Sequence, residues 1–266
     1  MRGFQKENLG MINILNVYFV RSEMVKLKNI HITFNKNTGN AIEALHDVNL
    51  IFKEHEWTYI IGGNGSGKST LLKIINQELI PDTGELLLNN FAPKDILFVD
   101  QLTIKNLIPS MTVYENLIFG LKEYGMKPNL KFYSQKDFRN KVVEALREFN
   151  IGLEKRLNEQ VKFLSGGEQQ IVVATRITLS NPRILLMDEF TSSLDQRWAP
   201  FILLKLKNYV IENDIMVLAI THDYSQIQNI GDRLIMLKNG HVYADKMKNS
   251  FDFSTQSVLN LFYEKQ

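Results

Sequence analysis

The segment GGNGSGKST at residues 62–70 constrains the fold of this chain more than any other part of the sequence. It follows a short apolar run and precedes an amphipathic pattern, so it predicts a strand, a tight turn and a helix in that order. Glycines here let backbone N–H groups point inward around phosphate oxygens, and the helix start adds the positive end of its dipole. A plain glycine turn would leave the adjoining Lys-Ser pair unexplained. We therefore predict a phosphate-binding loop.

The side chains of this loop have separate predicted roles. Lys68 is expected to reach the β- and γ-phosphates of a nucleotide, and the Ser69 hydroxyl to ligate Mg²⁺. The predicted nucleotide-binding residues of the loop are Gly62, Gly63, Asn64, Gly65, Ser66, Gly67, Lys68, Ser69 and Thr70.

Strands and helices alternate along the chain from Val25 onward. Periodic apolar residues predict helices that start at Lys68 and Glu168, and another that runs from about Trp198 to Glu212. This alternation predicts an α/β fold with a largely parallel central sheet. Short apolar runs predict strands at 48–52, 58–61, 96–99, 184–188, 216–220 and 234–237, preceded by a strand-like alternation of Leu27, Ile30, Ile32 and Phe34.

The stretch from about 103 to 165 interrupts this alternation. Helical spacing dominates there, with Ser134 and Asp137 placed as a helix start. We predict one domain over residues 24–266 that contains this stretch as an inserted α-helical subdomain. Residues 1–23 show no sustained period, and we interpret them as a poorly ordered extension or a misassigned start. A helix that binds a partner or a membrane surface is the alternative.

Composition excludes several kinds of site. The chain has no cysteine, which excludes disulfides, zinc ribbons, iron–sulfur ligation and thiol catalysis. Its 31 basic and 29 acidic residues give a net charge of +2, so there is no reason to expect a nucleic-acid partner. No stretch approaches the ~20 apolar residues that span a bilayer. If the protein works at a membrane, another subunit must supply the spanning helices.

Polar side chains follow three predicted strands, where the carboxyl ends of a parallel sheet meet. Asp188 is placed to hold the Mg²⁺ shell, and Glu189 to polarise a water for attack on the γ-phosphate. His222 can hydrogen-bond near the γ-phosphate, and Gln101 can contact Mg²⁺ or the attacking water. Each signal is weak alone, because such residues are common at surface turns. Their order downstream of the glycine loop makes the set specific.

A second glycine-rich helix start lies at LSGGEQQ, residues 164–170. Ser165, Gly166 and Gly167, followed by Glu168, expose backbone N–H groups that suit a phosphate oxygen. Because the chain already has one complete phosphate loop, a second one needs either two ligands or a second copy of the chain. A head-to-tail dimer satisfies this requirement, with each ATP between one chain's loop and the other chain's serine-glycine turn.

Together these motifs resemble the ATP-binding subunits of ABC transporters over residues 25–245. The SGG element is close to diagnostic, because other P-loop enzymes do not carry it. The resemblance implies a P-loop NTPase of the ABC type that hydrolyses ATP with Mg²⁺, and a pair of cassettes that sandwiches two ATP molecules. The matching motifs are GGNGSGKST at 62–70, Gln101, LSGGEQQ at 164–170, ILLMDE at 184–189, SSLD at 192–195 and His222.

The resemblance also implies roles and partners. Glu189 would be the general base, His222 the switch histidine and Gln101 the Q-loop residue, while Phe34 would stack on adenine. Ser193 to Asp195 would contact the other cassette of the dimer. The inserted helices would dock on transmembrane permease subunits at the cytoplasmic face of the membrane, and an importer would add a solute-binding protein.

A narrower resemblance concerns the cargo. The segments GLEKRL at 152–157 and GDRLIML at 231–237 are similar to an importer group labelled tryptophan/tyrosine-type transport. The expected cargo is therefore a small solute, with an amino acid as the candidate. Two alternatives stay open, a soluble ABC ATPase without a transport role and an exporter-type ATPase for lipoproteins or peptides. Phe190 and Gln196 stand where proline is usual, which leaves the turnover rate and the subfamily open.

Overall fold

A computed structural model describes residues 25–99, 107–123, 135–190 and 197–263, and these residues form two sheets flanked by helices. The strands are β1 (Val25–Phe34), β2 (Ile42–Phe52), β3 (Trp57–Ile61), β4 (Thr83–Leu88), β5 (Ile96–Val99), β6 (Ile184–Asp188), β7 (Met216–Ile220), β8 (Arg233–Lys238) and β9 (His241–Met247). The helices are α1 (Lys68–Ile75), α2 (Val113–Glu123), α3 (Gln135–Arg147), α4 (Gly166–Ser180), α5 (Ala199–Glu212), α6 (Tyr224–Ile230) and α7 (Thr255–Tyr263), and short 3-10 turns span Pro93–Asp95, Leu153–Lys155 and Val161–Phe163.

The larger sheet determines where the functional residues meet. Its six strands have the order β5-β6-β7-β3-β8-β9, and all neighbours are parallel except the antiparallel pair β8–β9. Because β6, β7 and β3 are adjacent and parallel, their carboxyl ends lie at one edge of the sheet. Asp188, Thr221 and Gly62 stand at or directly after those ends, which is where ligands bind in open α/β sheets.

Two apolar cores cover the two faces of this sheet. Successive side chains of a strand point to opposite faces, so Leu185 packs in one core with α4 and α5. Leu186 packs in the other core, with α1 and the smaller sheet. Strands buried on both faces are apolar throughout, which explains the continuous apolar runs of β3, β6 and β7.

The smaller sheet is antiparallel, has the order β2-β1-β4, and contains irregular pairing. The β1–β2 register shifts between Leu27 and Ile30, and the intervening Asn29 has a φ of 48°. Its N–H donates to Asn49 Oδ1 at 2.9 Å. This bulge explains why Leu27 and Ile30 are both buried although they are three residues apart.

The predicted α/β fold with a largely parallel sheet is confirmed, and β5, β6 and β7 have the predicted bounds. Strands β4 and β9 were not predicted, and β2 is longer than the predicted 48–52. Helix α4 begins at Gly166 rather than Glu168 because Ser165 is already its N-cap. Helix α5, with Trp198 as its N-cap, confirms the helix predicted from about Trp198 to Glu212.

The inserted helical stretch contains α2 and α3, and its boundaries at about 103 and 165 stay a prediction. Residues 1–23, 103–106 and Ser134 lie outside the described residues. Among the residues that the structure describes, no helix is both long and apolar enough to cross a bilayer.

Candidate functional site

The glycine loop connects the end of β3 to the start of α1, as predicted. Gly62 has a φ of 148°, and a Cβ there would lie 2.2 Å from the carbonyl oxygen of Leu237. Gly67 is the N-cap of α1 with a φ of 99°, and a Cβ there would lie 2.3 Å from the carbonyl oxygen of Ala44. Both positions therefore require glycine, because the backbone is left-handed and closely packed. A Cβ on Gly63 would meet no atom within 4 Å, so that side of the loop is open.

Two polar groups of the loop fit an anionic ligand. The Lys68 ammonium donates to the carbonyl oxygens of Gly62 at 2.8 Å and Gly63 at 3.0 Å. Burial lowers its pKa, although Glu189 and Asp188 oppose the shift. The Ser66 hydroxyl is buried and has no hydrogen-bond partner in the described part of the chain. Buried polar groups are normally paired, so this hydroxyl and the desolvated ammonium both fit a bound phosphate.

Asp188 ends β6 beside the loop. Its carboxylate accepts a hydrogen bond from the Ser69 side chain, and β6 pairs with β7 through Asp188 and Ile220. Burial raises the pKa of Asp188, and the neighbouring Glu189 carboxylate adds to the shift, while Ser69 and Lys68 oppose it. A hydroxyl and a carboxylate in contact supply the oxygen ligands that Mg²⁺ prefers.

The structure brings Glu189 and His222 together. The distance from Glu189 Oε1 to His222 Nε2 is 3.0 Å, within hydrogen-bond range. The Glu189 N–H donates to the carbonyl oxygen of Ile220 at 3.2 Å, and Glu189 has a φ of 51°. A non-glycine residue held in this left-handed region is a strained position of the kind found at functional sites. The arrangement can move a proton between a carboxylate and an imidazole.

The serine-glycine turn forms a capped helix start that is satisfied within its own segment. The Glu168 N–H donates to Ser165 Oγ at 3.4 Å, and the Ser165 N–H donates to Glu168 Oε2 at 2.8 Å, which is a reciprocal capping box. Arg156 binds the Glu168 carboxylate from the preceding turn. Within the described residues, no hydrogen bond or ion pair joins this turn to the glycine loop at 62–70.

The glycines of this turn differ from one another. A Cβ on Gly167 would lie 2.1 Å from the indole nitrogen of Trp198, whereas a Cβ on Gly166 would meet nothing within 4 Å. The contacts of Trp198 and Arg156 were not predicted. The spacing of Arg156 and Glu159, which pair at i and i+3, was the available sequence signal for the arginine network. Trp198 had no such signal, since its contact is tertiary.

The remaining predicted residues are placed as follows. Phe34 is the last residue of β1, pairs with Ile42 of β2 and is 36% exposed, so its ring is accessible to a ligand. Gln101 and the segment 192–195 lie outside the described residues, and their roles stay predictions.

Known proteins resemble this chain over most of its length. The family model described as ABC transporter matches residues 45–192. The chain is 30% identical over 249 residues to the tyrosine transport ATP-binding protein of Clostridioides difficile. The aligned residues cover 90% of this chain and 98% of that relative. It is 36% identical over 243 residues to an uncharacterized ABC transporter ATP-binding protein of Methanocaldococcus jannaschii. The aligned residues cover 86% of this chain and 99% of that relative.

A solved structure of that archaeal cassette, a dimer in a post-hydrolysis state bound to ADP and Pi, matches with a TM-score of 0.69 at 34% identity. The match covers 84% of this chain and 98% of the solved one. This chain therefore belongs to the ABC transporter family, as an ATP-binding subunit that hydrolyses ATP to drive transport.

Proposed function

We propose that this subunit works as a head-to-tail pair at the cytoplasmic face of a membrane and drives the import of a small solute, with an amino acid as the candidate cargo. The observation that carries the pairing is that two glycine-rich helix starts suited to phosphate are not joined by any hydrogen bond or ion pair among the described residues. One is the glycine loop at 62–70, and the other is the serine-glycine turn at 165–167, whose described polar contacts stay within its own segment. A second copy would supply the turn that each loop lacks.

In this proposal the loop binds the nucleotide by exchanging internal contacts for phosphate contacts. Lys68 leaves the carbonyl oxygens of Gly62 and Gly63 and donates to the β- and γ-phosphates, and the unpartnered Ser66 hydroxyl gains an acceptor. The accessible Phe34 ring stacks on adenine. The exchange is favourable because an ammonium binds a charged phosphate oxygen more strongly than a neutral carbonyl.

Ser69 and Asp188 would hold Mg²⁺, with Gln101 as a further ligand. A bound Mg²⁺ would neutralise charge that develops on the phosphates during transfer. Its arrival would also offset the repulsion between Asp188 and Glu189, which both lie close to Lys68.

Glu189 accepts the proton of the attacking water in this proposal. His222 positions the Glu189 carboxylate through the 3.0 Å contact and can turn toward the γ-phosphate when a nucleotide is bound. Ser165 and the N–H groups of Gly166 and Gly167, contributed by the second copy, would bind the γ-phosphate from the opposite side. Residues of both copies are then needed for turnover, so hydrolysis depends on pairing.

The proposed membrane role is supported by the names of related proteins. One relative is a tyrosine transport ATP-binding protein, and another is a methionine import ATP-binding protein of Coxiella burnetii, 32% identical over 232 residues. A solved relative at 25% identity is described as part of an ABC transporter complex. We propose permease subunits as partners of this chain, with a solute-binding protein as a further partner. Co-purification from native membranes tests this part, and recovery without any multi-span subunit would contradict it.

The pairing is tested with Glu189→Gln. This variant should bind ATP, hydrolyse it at least ~100-fold more slowly and accumulate as a dimer, because the general base is removed while binding remains. Light scattering after gel filtration measures the dimer. Glu212→Gln, a substitution at an exposed position of α5, is the matched control and should turn over normally. If Glu189→Gln stays monomeric in saturating ATP, or turns over at a near-normal rate, the proposal is wrong.

A further inference from the structure

Three of the five histidines of this chain lie together, and none of them belongs to the nucleotide loop. His31 on β1 and His46 on β2 have ring centroids 4.8 Å apart, and the His241 ring on β9 lies 4.6 Å from His46. Glu43 on β2 lies beside them. One ligand atom each of His31, Glu43 and His46 can be chosen so that all three lie within 4.8 Å of one another. Imidazole nitrogens with a carboxylate oxygen are ligands that Zn²⁺ and its neighbours in the first transition row accept.

Irregular strand pairing brings these side chains to one face. In a regular strand Glu43 and His46 would point to opposite faces, because they are three residues apart. The β1–β2 register shifts twice here, between the pairs Ile30–Val48 and Ile32–Leu45 and again before Thr33–Glu43. Asp47, next to His46, has a φ of 48°. Bulges of this kind re-aim side chains next to functional sites.

Two of the three ligand-atom distances, both to the Glu43 carboxylate, are close to those of a metal site. His46 Nδ1 lies 3.7 Å from Glu43 Oε1, and His31 Nδ1 lies 4.0 Å from the same oxygen. Ligand atoms of a tetrahedral zinc site lie about 3.3–3.4 Å apart, so each of these two pairs needs to close by less than about 1 Å. The Glu43 side chain is 54% exposed and free to make that movement, and it gives an ion a path from solvent.

One atom of the cluster lacks a partner. His46 Nδ1 is buried and makes no hydrogen bond in the part of the chain that the structure describes. The 3.7 Å distance to Glu43 is too long for a hydrogen bond. A buried ring nitrogen without a partner is unusual in a folded protein, and a metal ion between His46 and Glu43 would satisfy it.

The surroundings hold His46 in place. The backbone N–H of His46 donates to the carbonyl oxygen of Gly240 at 2.9 Å. The backbone N–H of Gly240 in turn donates to the carbonyl oxygen of Ser66 in the glycine loop at 3.3 Å. The turn before His241 therefore connects the cluster to the backbone of the nucleotide loop. Packing of the His241 ring against His46 restricts the orientation of the His46 imidazole.

We propose that His31, Glu43 and His46 bind one divalent transition-metal ion of the zinc type. The ion joins β1 to β2 in the strand pair that ends at Phe34. His241 is a positioning residue that orients His46. This site is independent of the proposed pairing and of the Mg²⁺ that would accompany ATP.

Calorimetric titration of the untagged, nucleotide-free chain with ZnCl₂ tests the site. One Zn²⁺ should bind per chain, and His46→Gln and Glu43→Gln should each raise the Kd at least about tenfold, since even residues that only support a metal ligand contribute 10–100-fold. At a free Zn²⁺ concentration 100 times the Kd, the melting temperature should rise by roughly 5–10 °C. Mg²⁺ should not replace Zn²⁺, because it prefers oxygen ligands.

Two controls locate the ion. His55→Asn removes an exposed histidine that pairs with Asp214 outside the cluster, and it should leave the Kd unchanged. His222→Asn removes the histidine beside Glu189 and should also leave it unchanged. Metal-free melting curves and circular dichroism show whether each variant is folded, and the exposed Glu43 position keeps the test valid if His46→Gln unfolds. The proposal is overturned if Zn²⁺ does not bind, if a folded Glu43→Gln chain binds it with unchanged Kd, or if His222→Asn abolishes binding.

Discussion

Helices α1 and α4 both begin at glycine-rich turns, but the two turns are built differently. At α1 the N-cap is Gly67, which has no side chain to cap the helix, and packing of Gly62 and Gly67 against neighbouring carbonyls determines the loop conformation. At α4 the N-cap is Ser165, and its capping box with Glu168 is reinforced by Arg156. The first start leaves backbone N–H groups for a ligand, whereas the second is stable without one.

Because of this difference, we expect the two turns to have different roles in nucleotide binding. A helix start without a side-chain cap is less stable alone and gains most from a bound anion, so the loop at 62–70 suits tight nucleotide binding. A helix start that is already capped can be exposed at a surface without loss of structure, which suits a turn that meets its ligand only when a second copy arrives. The expected effects of substitutions at the two turns therefore differ in kind.

The largest expected difference concerns ATP binding to the single chain. Lys68→Ala should raise the Kd at least about 100-fold, because two charge-assisted hydrogen bonds to phosphate are lost. Ser165→Arg should leave this Kd unchanged and instead block the dimer and turnover. Fluorescent-nucleotide titration measures the Kd of both variants. Lys73→Ala, at an exposed position of the same helix as Lys68, is the control and should bind nearly as the wild type does. A drop in affinity for Ser165→Arg would place both turns at one nucleotide within a single chain.

A smaller difference between the two turns is expected in how a substitution changes the free energy of unfolding. Gly67→Ala should lower the free energy of unfolding by about 3 kcal/mol, because an alanine would be left-handed and would clash with Ala44. Gly166→Ala should change it by less than about 1 kcal/mol, since a Cβ there meets open space and alanine favours helices. Urea unfolding of the nucleotide-free chain measures the two values. Equal effects would mean that the loop conformation is not set by packing.

The parts of the molecule that sequence predicts well are those where one local signal decides the structure. Strands β6 and β7 are buried on both faces, so an unbroken apolar run defines their bounds, and the residues after them were assigned to the nucleotide site from those bounds. Strands β4 and β9 lie at sheet edges and are half-exposed. β9 carries no apolar run and β4 only the short run Leu86–Leu88, so the sequence does not predict either strand.

The contacts that hold the second turn could not be predicted for a different reason. Trp198 covers Gly167 because the chain folds back between segments about 30 residues apart, and the contact of Arg156 with Glu168 depends on the turns between them, although the Arg156–Glu159 spacing carries a local signal. The cluster of His31, Glu43 and His46 likewise depends on two register shifts in one strand pair. Register shifts and tertiary contacts leave no periodic trace in a single sequence.

The smallest expected effects come from the carboxylates beside the two helix starts, and they have opposite signs. Burial raises the pKa of Asp188 above its ordinary value of 3.8, so the folded chain binds a proton there more tightly than the unfolded chain does. Ionisation of Asp188 therefore costs stability at neutral pH, and this cost disappears as the pH falls through the raised pKa to the ordinary one. Asp188→Asn cannot ionise and should be more stable than the wild type at pH 7.

The gap between Asp188→Asn and the wild type should narrow as the pH is lowered toward about pH 4. Glu168→Ala at the other helix start should instead destabilise the chain by about 1 kcal/mol at pH 7, because it removes half of a capping box and one of the two carboxylates that pair with Arg156. Urea unfolding of the nucleotide-free variants at several pH values measures both. The assigned cause would be contradicted if the unfolding free energy of Asp188→Asn, relative to that of the wild type, increased as the pH is lowered. Such an increase would mean that the wild-type carboxylate is stabilised in its charged form and loses that contribution as it is protonated. The charge beside α1 would then stabilise the empty chain, as the charge beside α4 does, and the contrast between the two turns would rest on geometry alone.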